Sequence, residues 1–280
     1  MRKIIADSSC DLESTENIVN GVDLSVVPLK ILVEDKEFVD DSNLNLEEML
    51  ETLANTKEKS STACPSPMEF EEAFGDADEV FVVTITSQLS GCYNSAVLAK
   101  NMYQEKYPDR KVYVFDTLST SGEMVLIINK IAELVVTDKS FEEIVEEVED
   151  YRKNTNTACL LYSVDNLVKN GRVNKIVGAA LNVLGIKIVA RASEEGTIQP
   201  INKARGKDKA YKAMLKEFEE KGYKGGKVEI CHCKNEEGAL YLKNKILELY
   251  PSAQINIRNA HGLVSYYAEN QGIVVGFESL

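Results

Sequence analysis

The 280-residue sequence has no tryptophan, only two histidines and six cysteines, and fewer basic than acidic residues. Any histidine-dependent chemistry must therefore use His232 or His261. Six scattered cysteines are too few for a disulfide scaffold, which favours reduced thiols. The N-terminal segment reaches Asp7 before a long apolar stretch can form, so we expect no signal peptide and a cytoplasmic location.

The charge balance and two missing motifs narrow the function classes further. Against 45 acidic residues stand 32 basic ones, a formal net charge of −13 at pH 7. Nucleic-acid binding depends on basic surfaces that contact phosphates, so we expect no nucleic-acid partner. No apolar run approaches the roughly 18 residues that a membrane-spanning helix needs. A G-x-G-x-x-G segment and a P-loop are also missing, which argues against nucleotide chemistry, and we predict no cofactor.

The run Cys231-His232-Cys233 resembles a metal site only superficially. It falls in a predicted strand, where both cysteines face one side and the histidine faces the other. No fourth ligand is near in the sequence, so we predict no metal site.

The first half of the chain alternates strand patterns with helix patterns. Residues 79–85 form a nearly continuous apolar run, which is typical of a parallel strand buried on both faces. Helical spacing follows over residues 91–107 and 122–136, and Ser140 with Glu143 predicts a capping box. This alternation predicts an N-terminal parallel α/β domain over residues 1–154.

The second half has a different pattern. Residues 166–184 read as helix with a break at Asn170-Gly171, and two strands around the turn Glu195-Gly196 predict a hairpin. A hairpin among helices predicts a C-terminal α+β domain with a mixed sheet over residues 155–280. The boundary is placed at the polar segment 152–156.

Hydroxyl-rich loops follow three predicted strands of the first half, at residues 7–9, 86–91 and 116–122. Ligands of open α/β sheets bind beyond the carboxyl ends of the strands. The pair Ser90-Gly91 opens a helix, where free N–H groups favour an anion. The alternative is that these hydroxyls only cap helices and form turns.

The loop 60–67, His261 and a possible catalytic triad each allow a functional and a purely structural interpretation. The loop 60–67 is another hydroxyl cluster, or a solvated linker. His261 follows a predicted strand and faces a cleft, or is an ordinary surface histidine. Ser90, His261 and Asp116 could form a hydrolase triad, but the segment Gln88-Leu89-Ser90-Gly91 lacks the first glycine of a nucleophile elbow.

Taken together, these segments resemble the DegV family of bacterial fatty-acid-binding proteins across essentially the whole chain. The matching segments are Ile4-Ile5-Ala6-Asp7-Ser8, Ser61-Thr62 with Pro65-Ser66-Pro67, Thr86-Ser87-Gln88-Leu89-Ser90-Gly91-Cys92-Tyr93, Val114-Phe115-Asp116-Thr117 with Ser121, and Asn170-Gly171-Arg172-Val173. The chain departs from the family pattern at Ala6, Cys92 and Asn170. It also has His261-Gly262-Leu263 where the family has His-x-Gly-Pro-Gly, so the helix start after His261 is an open question.

The resemblance implies a non-catalytic lipid carrier. It would hold a long-chain fatty acid between its two domains and present the carboxylate to a separate fatty-acid kinase, yielding acyl phosphate for phospholipid metabolism. Transient membrane contact is compatible with that role. The resemblance assigns Thr62, Ser90, Gly91 and His261 to the carboxylate.

Arg172 and Arg205 are candidates for contact with the partner or the phosphate, and solvated charge is the alternative for both. The competing function is an enzyme that uses Ser90 and His261. It would be a serine hydrolase or a substrate subunit of a dihydroxyacetone-type kinase.

Overall fold

A computed structural model of the chain describes residues 1–12, 22–56, 58–173 and 186–279. Its first layer is a parallel sheet of four strands in the order β2-β1-β6-β7. These strands are β1 (Arg2–Asp7), β2 (Leu24–Val27), β6 (Glu79–Thr84) and β7 (Lys111–Asp116). The predicted parallel α/β layer is confirmed, and the central strand β6 is buried from Val80 to its end.

Helices of the first half pack against this sheet. They are α2 (Pro67–Phe74), α3 (Cys92–Lys106), α4 (Gly122–Val135) and α5 (Phe141–Arg152). The predicted capping box of Ser140 with Glu143 is confirmed at the start of α5. Ser66 and Glu69 form a second one at α2, where Pro67 occupies the first turn.

The first half also contains a small antiparallel sheet of three strands in the order β4-β3-β5. Its strands are β3 (Lys30–Val33), β4 (Lys36–Val39) and β5 (Ser61–Ala63), and α1 (Leu46–Asn55) connects the last two. The prediction of a plain polar loop over residues 60–67 was wrong at β5. Three residues are too few to show an alternating pattern, and the strand exists because Thr62 pairs with Ile31.

The second layer is a mixed sheet of six strands in the order β10-β9-β8-β13-β11-β12. Its strands are β8 (Thr155–Leu161), β9 (Ile186–Ala192), β10 (Ile198–Arg205), β11 (Lys227–His232), β12 (Gln254–Asn259) and β13 (Ile273–Glu278). The predicted mixed sheet is confirmed, since β11 and β12 pair in parallel while the other four pairs of neighbouring strands in this sheet are antiparallel. So is the β9–β10 hairpin, where Gly196 takes the left-handed conformation that its turn requires.

Four described helices accompany this sheet. They are α6 (Asp165–Lys169), α7 (Lys207–Glu220), α8 (Glu236–Leu249) and α9 (Gly262–Ala268). The predicted helix break is confirmed, since α6 ends before Gly171, which has a positive φ. The rest of the helix predicted over residues 166–184 lies largely outside the described residues.

Helix α4 joins the two layers, because it contacts both the parallel sheet and the mixed sheet. Two glycines permit this approach. A Cβ on Gly276 would lie 2.1 Å from the backbone nitrogen of Glu123, and one on Gly122 would lie 2.4 Å from the carbonyl oxygen of Glu229. The loops at the carboxyl ends of the parallel strands therefore face the mixed sheet.

Candidate functional site

A cavity lies between the carboxyl ends of the parallel strands and the mixed sheet. It comprises about 840 Å³ of space free of protein atoms, including the part that opens to solvent. Its walls are mainly apolar, and Thr62, Ser90 and Arg172 all line it. The structure thus brings together three of the predicted site residues.

Thr62 forms a hydroxyl pair with Tyr267. Strand β5 places Thr62 at the cavity, and its Oγ1 lies 2.8 Å from the Tyr267 hydroxyl of α9. One hydroxyl donates to the other, so the pair keeps one proton that is not used between them. That proton is available to an acceptor in the cavity.

Ser90 precedes α3, whose N-cap is Gly91. Its Oγ donates to the sulfur of Cys92 at 3.2 Å, and the Cys92 amide approaches the same oxygen at 3.4 Å. A thiol sulfur is a weak acceptor, whereas an ionised carboxylate is a strong one. A carboxylate in the cavity would therefore compete well for the Ser90 proton.

Arg172 brings a positive charge to the same wall. Its Nε donates to the carbonyl of Leu89 at 3.2 Å, and Nη1 donates to the carbonyl of Asn170 at 2.6 Å. The guanidinium also lies 6.0 Å from the centre of the Tyr267 ring. Arg172 therefore ties the loop that carries Ser90 to the second half of the chain.

His261 lies at the N-cap of α9, and the helix starts at Gly262 despite the missing Gly-Pro-Gly sequence. Two carboxylates from the first half accept the amides at this helix start. Asp11 accepts from His261 N at 2.7 Å, and Asp40 accepts from Gly262 N at 2.6 Å and Leu263 N at 3.0 Å. These contacts answer the question that the sequence left open about the helix start.

Asp7, Asp11 and Asp40 are buried. Burial raises the pKa of Cys10, and the charges of all three carboxylates raise it further, so we call them the carboxylate cluster. Burial raises the pKa of Asp7 and of Asp11 to about 6, against hydrogen bonds that lower it. Burial also raises the pKa of Asp40, while its bond from the Leu263 amide lowers it. The charge of His261 lowers the pKa of both Asp11 and Asp40, so the histidine lies close to these two carboxyls.

The cavity does not collect every predicted site residue. Gly91, His261 and Arg205 are not among the residues that line it. Gly91 caps α3 beside Cys64, whose sulfur would lie 3.0 Å from an added Cβ. Arg205 ends the edge strand β10 and is exposed.

The contacts do not assemble the hydrolase triad. Ser90 donates to Cys92, while Asp116 accepts from the amide of Leu118 in its own loop and from the amide of Ser87 in the loop after β6. His261 makes its short backbone contact with Asp11 instead. The triad hypothesis therefore finds no support in the geometry of these residues.

Sequence reasoning missed Tyr267, Asp11 and Asp40. Tyr267 was missed because a tyrosine in an apolar helix is normally interpreted as a core residue. Its role depends on the hydrogen bond with Thr62. Asp40 sits in a loop after a four-residue strand that the sequence did not reveal. The positions of both carboxylates relative to α9 depend on contacts more than 200 residues apart along the chain.

The described residues contain neither a cluster of metal ligands nor a membrane-spanning helix. Within those ranges, no three His, Cys, Asp or Glu side chains are arranged to hold a metal ion. No helix among them is both long and apolar enough to cross a membrane.

Comparisons with known proteins agree over the full length of the chain. A model of the DegV family, described as an uncharacterised protein family, matches residues 1–279. A DegV domain-containing protein of Streptococcus pneumoniae is 43% identical over 276 residues, covering 99% of this chain and 98% of that protein.

Two solved structures share the fold closely. The Streptococcus pneumoniae fatty acid kinase (Fak) B3 protein loaded with linoleic acid gives a TM-score of 0.97 at 43% identity, covering 100% of this chain and 99% of that one. A DegV family protein from Eubacterium eligens loaded with heptadecanoic acid gives 0.96 at 40% identity, covering 100% of both chains. The matched segments, the two-layer fold and these relatives together show that the chain belongs to the DegV family.

Proposed function

We propose that the chain is a non-catalytic carrier that binds a long-chain fatty acid and presents its carboxylate to a separate kinase. The observation that carries this proposal is the mainly apolar cavity whose wall includes the hydroxyls of Thr62 and Ser90 and the guanidinium of Arg172. Relatives at 43% and 40% identity hold linoleic acid and heptadecanoic acid, and one of them is a fatty acid kinase B protein.

The aliphatic part of the cavity suits an alkyl tail. Roughly 15 methylene groups at about 0.8 kcal/mol each would contribute about 12 kcal/mol on burial. Association and ordering costs offset part of this gain but leave enough for tight binding. The main opposing cost is removing an ionised carboxylate from water.

Hydrogen bonds would offset that cost. Ser90 can turn its proton from a weak sulfur acceptor to a carboxylate oxygen. The Thr62–Tyr267 pair has a second proton to give, and Arg172 adds a nearby positive charge. We therefore place the head group at Thr62 and Ser90, beside Gly91 at the start of α3. His261 is a third candidate donor, held by the carboxylate cluster.

A carrier that serves a kinase needs a docking surface around the head group. We propose that Arg172 and Arg205 contribute to it. Arg172 also supports the Ser90 loop, so its reversal would disturb binding as well, whereas Arg205 is exposed. Arg205→Glu should lower the phosphorylation rate severalfold and leave fatty-acid affinity unchanged. Wild-type phosphorylation by the kinase would remove Arg205 from the proposal.

Under this proposal, the two domains of the chain have different roles in binding. Residues 1–154 would supply the hydroxyls of the head-group loops, and residues 155–280 would complete the acyl cavity. Thr62 and Ser90 belong to the first of these units. Arg172 and Tyr267 belong to the second, so a bound acid would bridge both.

Native mass spectrometry of protein purified from cells tests the carrier proposal directly. We expect a bound mass equal to that of a long-chain fatty acid, released by organic solvent, and no turnover of ester substrates. An empty protein that hydrolyses esters in a Ser90-dependent manner would contradict the carrier and support the hydrolase.

A further inference from the structure

The proposed acyl cavity has a second polar region, formed by Ser119 and Thr157. Both side chains line the cavity, and their exposed fractions are only 3% and 4%. Ser119 comes from the loop that precedes α4, and Thr157 comes from strand β8. Two hydroxyls therefore lie in a buried wall that an unsubstituted alkyl chain would contact without hydrogen bonding.

This region lies away from the proposed head-group site. Along β8, Thr157, Cys159 and Leu161 all face the cavity. Leu161 belongs to an apolar cluster against which Tyr267 packs, so it lies toward the head-group end. Leu161 lies four positions after Thr157 along the strand, a distance of about 13 Å. Thr157 thus faces the tail well beyond the carboxylate.

The hydrogen-bonding state of the two hydroxyls differs. Thr157 donates its proton to the buried Glu123 carboxylate at 2.5 Å, which leaves the lone pairs of its oxygen able to accept. Ser119 lies close enough to Glu123 to lower the pKa of that carboxyl. Its Oγ nevertheless has no partner at hydrogen-bonding distance and angle within the described part of the chain.

A buried hydroxyl without a partner is unfavourable, and a ligand group that supplies the partner is favoured. The wall offers one open donor on Ser119 and one open acceptor on Thr157. An alcohol group matches both, because it accepts one hydrogen bond and donates another. A carbon–carbon double bond offers only a weak π acceptor.

We propose that Ser119 and Thr157 make this cavity selective for fatty acids that carry a hydroxyl group near the middle of the chain. This inference rests on the proposed fatty-acid binding and adds a substrate class to it. Ser119 Oγ donates to the ligand oxygen, and the ligand hydroxyl donates to Thr157 Oγ1. The protein binds unsubstituted fatty acids with lower affinity, because they leave the Ser119 proton unpaired.

The test is competition binding to the delipidated full-length protein. The probes are octadecanoic acid, a cis-unsaturated octadecenoic acid, and a series of octadecanoic acids with one hydroxyl at successive carbons. We expect one position near mid-chain to bind about tenfold more tightly than octadecanoic acid, and hydroxyls placed elsewhere to weaken binding. Ser119→Ala should remove this preference and keep the affinity for octadecanoic acid.

The matched control is Ser87→Ala, because Ser87 lies in the neighbouring loop but does not line the cavity. It should keep the preference. Equal affinity for hydroxylated and plain acids would overturn the inference and point to a bound water as the partner of Ser119. Preference for the unsaturated acid alone would overturn it as well. Failure of every acid to bind would instead refute the proposed carrier function, on which the inference depends.

Discussion

The carboxylate cluster and the cavity hydroxyls have opposite hydrogen-bonding states. The carboxylate cluster of Asp7, Asp11 and Asp40 is buried, and protein donors bond to it. The cavity hydroxyls of Thr62 and Ser90 are half-buried and bond to another hydroxyl and to a sulfur. The carboxylates already accept hydrogen bonds from protein donors. The hydroxyls can exchange their present partners for a ligand.

This difference in hydrogen bonding distinguishes residues that hold the fold from residues that can bind a ligand. A buried carboxylate that already accepts backbone amides cannot leave them without a large cost. A hydroxyl that bonds to a weak acceptor can rotate toward a ligand at little cost. We therefore propose that Asp11 and Asp40 position α9 and that the hydroxyls recognise the head group.

Removal of the Asp40 carboxylate should have the largest effect. Asp40→Ala leaves the buried amides of Gly262 and Leu263 without acceptors, at about 1–3 kcal/mol for each. We expect the free energy of unfolding, measured with urea, to fall by about 2–6 kcal/mol. The neighbouring Asp41→Ala removes only an exposed turn contact and should cost under about 1 kcal/mol. Equal losses in the two variants would contradict the special role of Asp40.

The pH dependence of stability should report on the same cluster. Because burial raises the folded pKa of Asp11 from 3.8 to about 6, the folded state favours the protonated form. The contribution of this group to stability is therefore greatest below pH 3.8 and is lost as the pH rises through about 6. The loss is roughly 3 kcal/mol at one pKa unit per 1.36 kcal/mol.

Asp11→Asn should remove this part of the pH profile. Urea unfolding should show that wild type loses stability relative to the variant as the pH rises from 3.8 to about 6, since other groups titrate in both proteins. Parallel curves would show that Asp11 does not titrate in this range. Burial would then raise its pKa less than expected.

The cavity hydroxyls should affect binding and leave folding nearly unchanged. Ser90→Ala and Thr62→Ala should each weaken fatty-acid affinity by about 1–3 kcal/mol, because each leaves a bound carboxylate short of a hydrogen bond. Titration calorimetry measures the affinity, and thermal unfolding checks the fold. Ser95→Ala, which lies in α3 away from the cavity wall, is the matched control. Unchanged affinity in both site variants would move the head group elsewhere.

Substitution of His261 should have the smallest effect on fatty-acid affinity. The His261 amide bonds to the carboxylate of Asp11, whereas its ring is a candidate donor to the ligand. If its imidazolium donates to the ligand carboxylate, affinity should rise as the pH falls from about 9 to about 5, a range that brackets the ordinary histidine pKa. His261→Ala should flatten this dependence. His232→Ala should not, because its ring accepts the Asn235 amide within the second half. Parallel curves for wild type and His261→Ala would assign His261 to helix capping alone.

The sequence alone determined the type of sheet in each half, the hairpin and the capping box of α5, because these depend on local periodicity and on residues a few positions apart. The apolar run of β6 and the pairs Ser140–Glu143 and Glu195–Gly196 are examples, and each is found where predicted. The family motifs likewise selected Thr62, Ser90 and Arg172, which the fold brings to one cavity.

Only the tertiary structure decided which polar groups are free. Strand β5 exists through its pairing with β3, and Tyr267 becomes a hydroxyl partner only because α9 packs beside that strand. The start of α9 depends on Asp11 and Asp40, which lie more than 200 residues away in the chain. Such contacts leave no local pattern, because burial and hydrogen-bond satisfaction arise from the meeting of distant segments rather than from their own sequence.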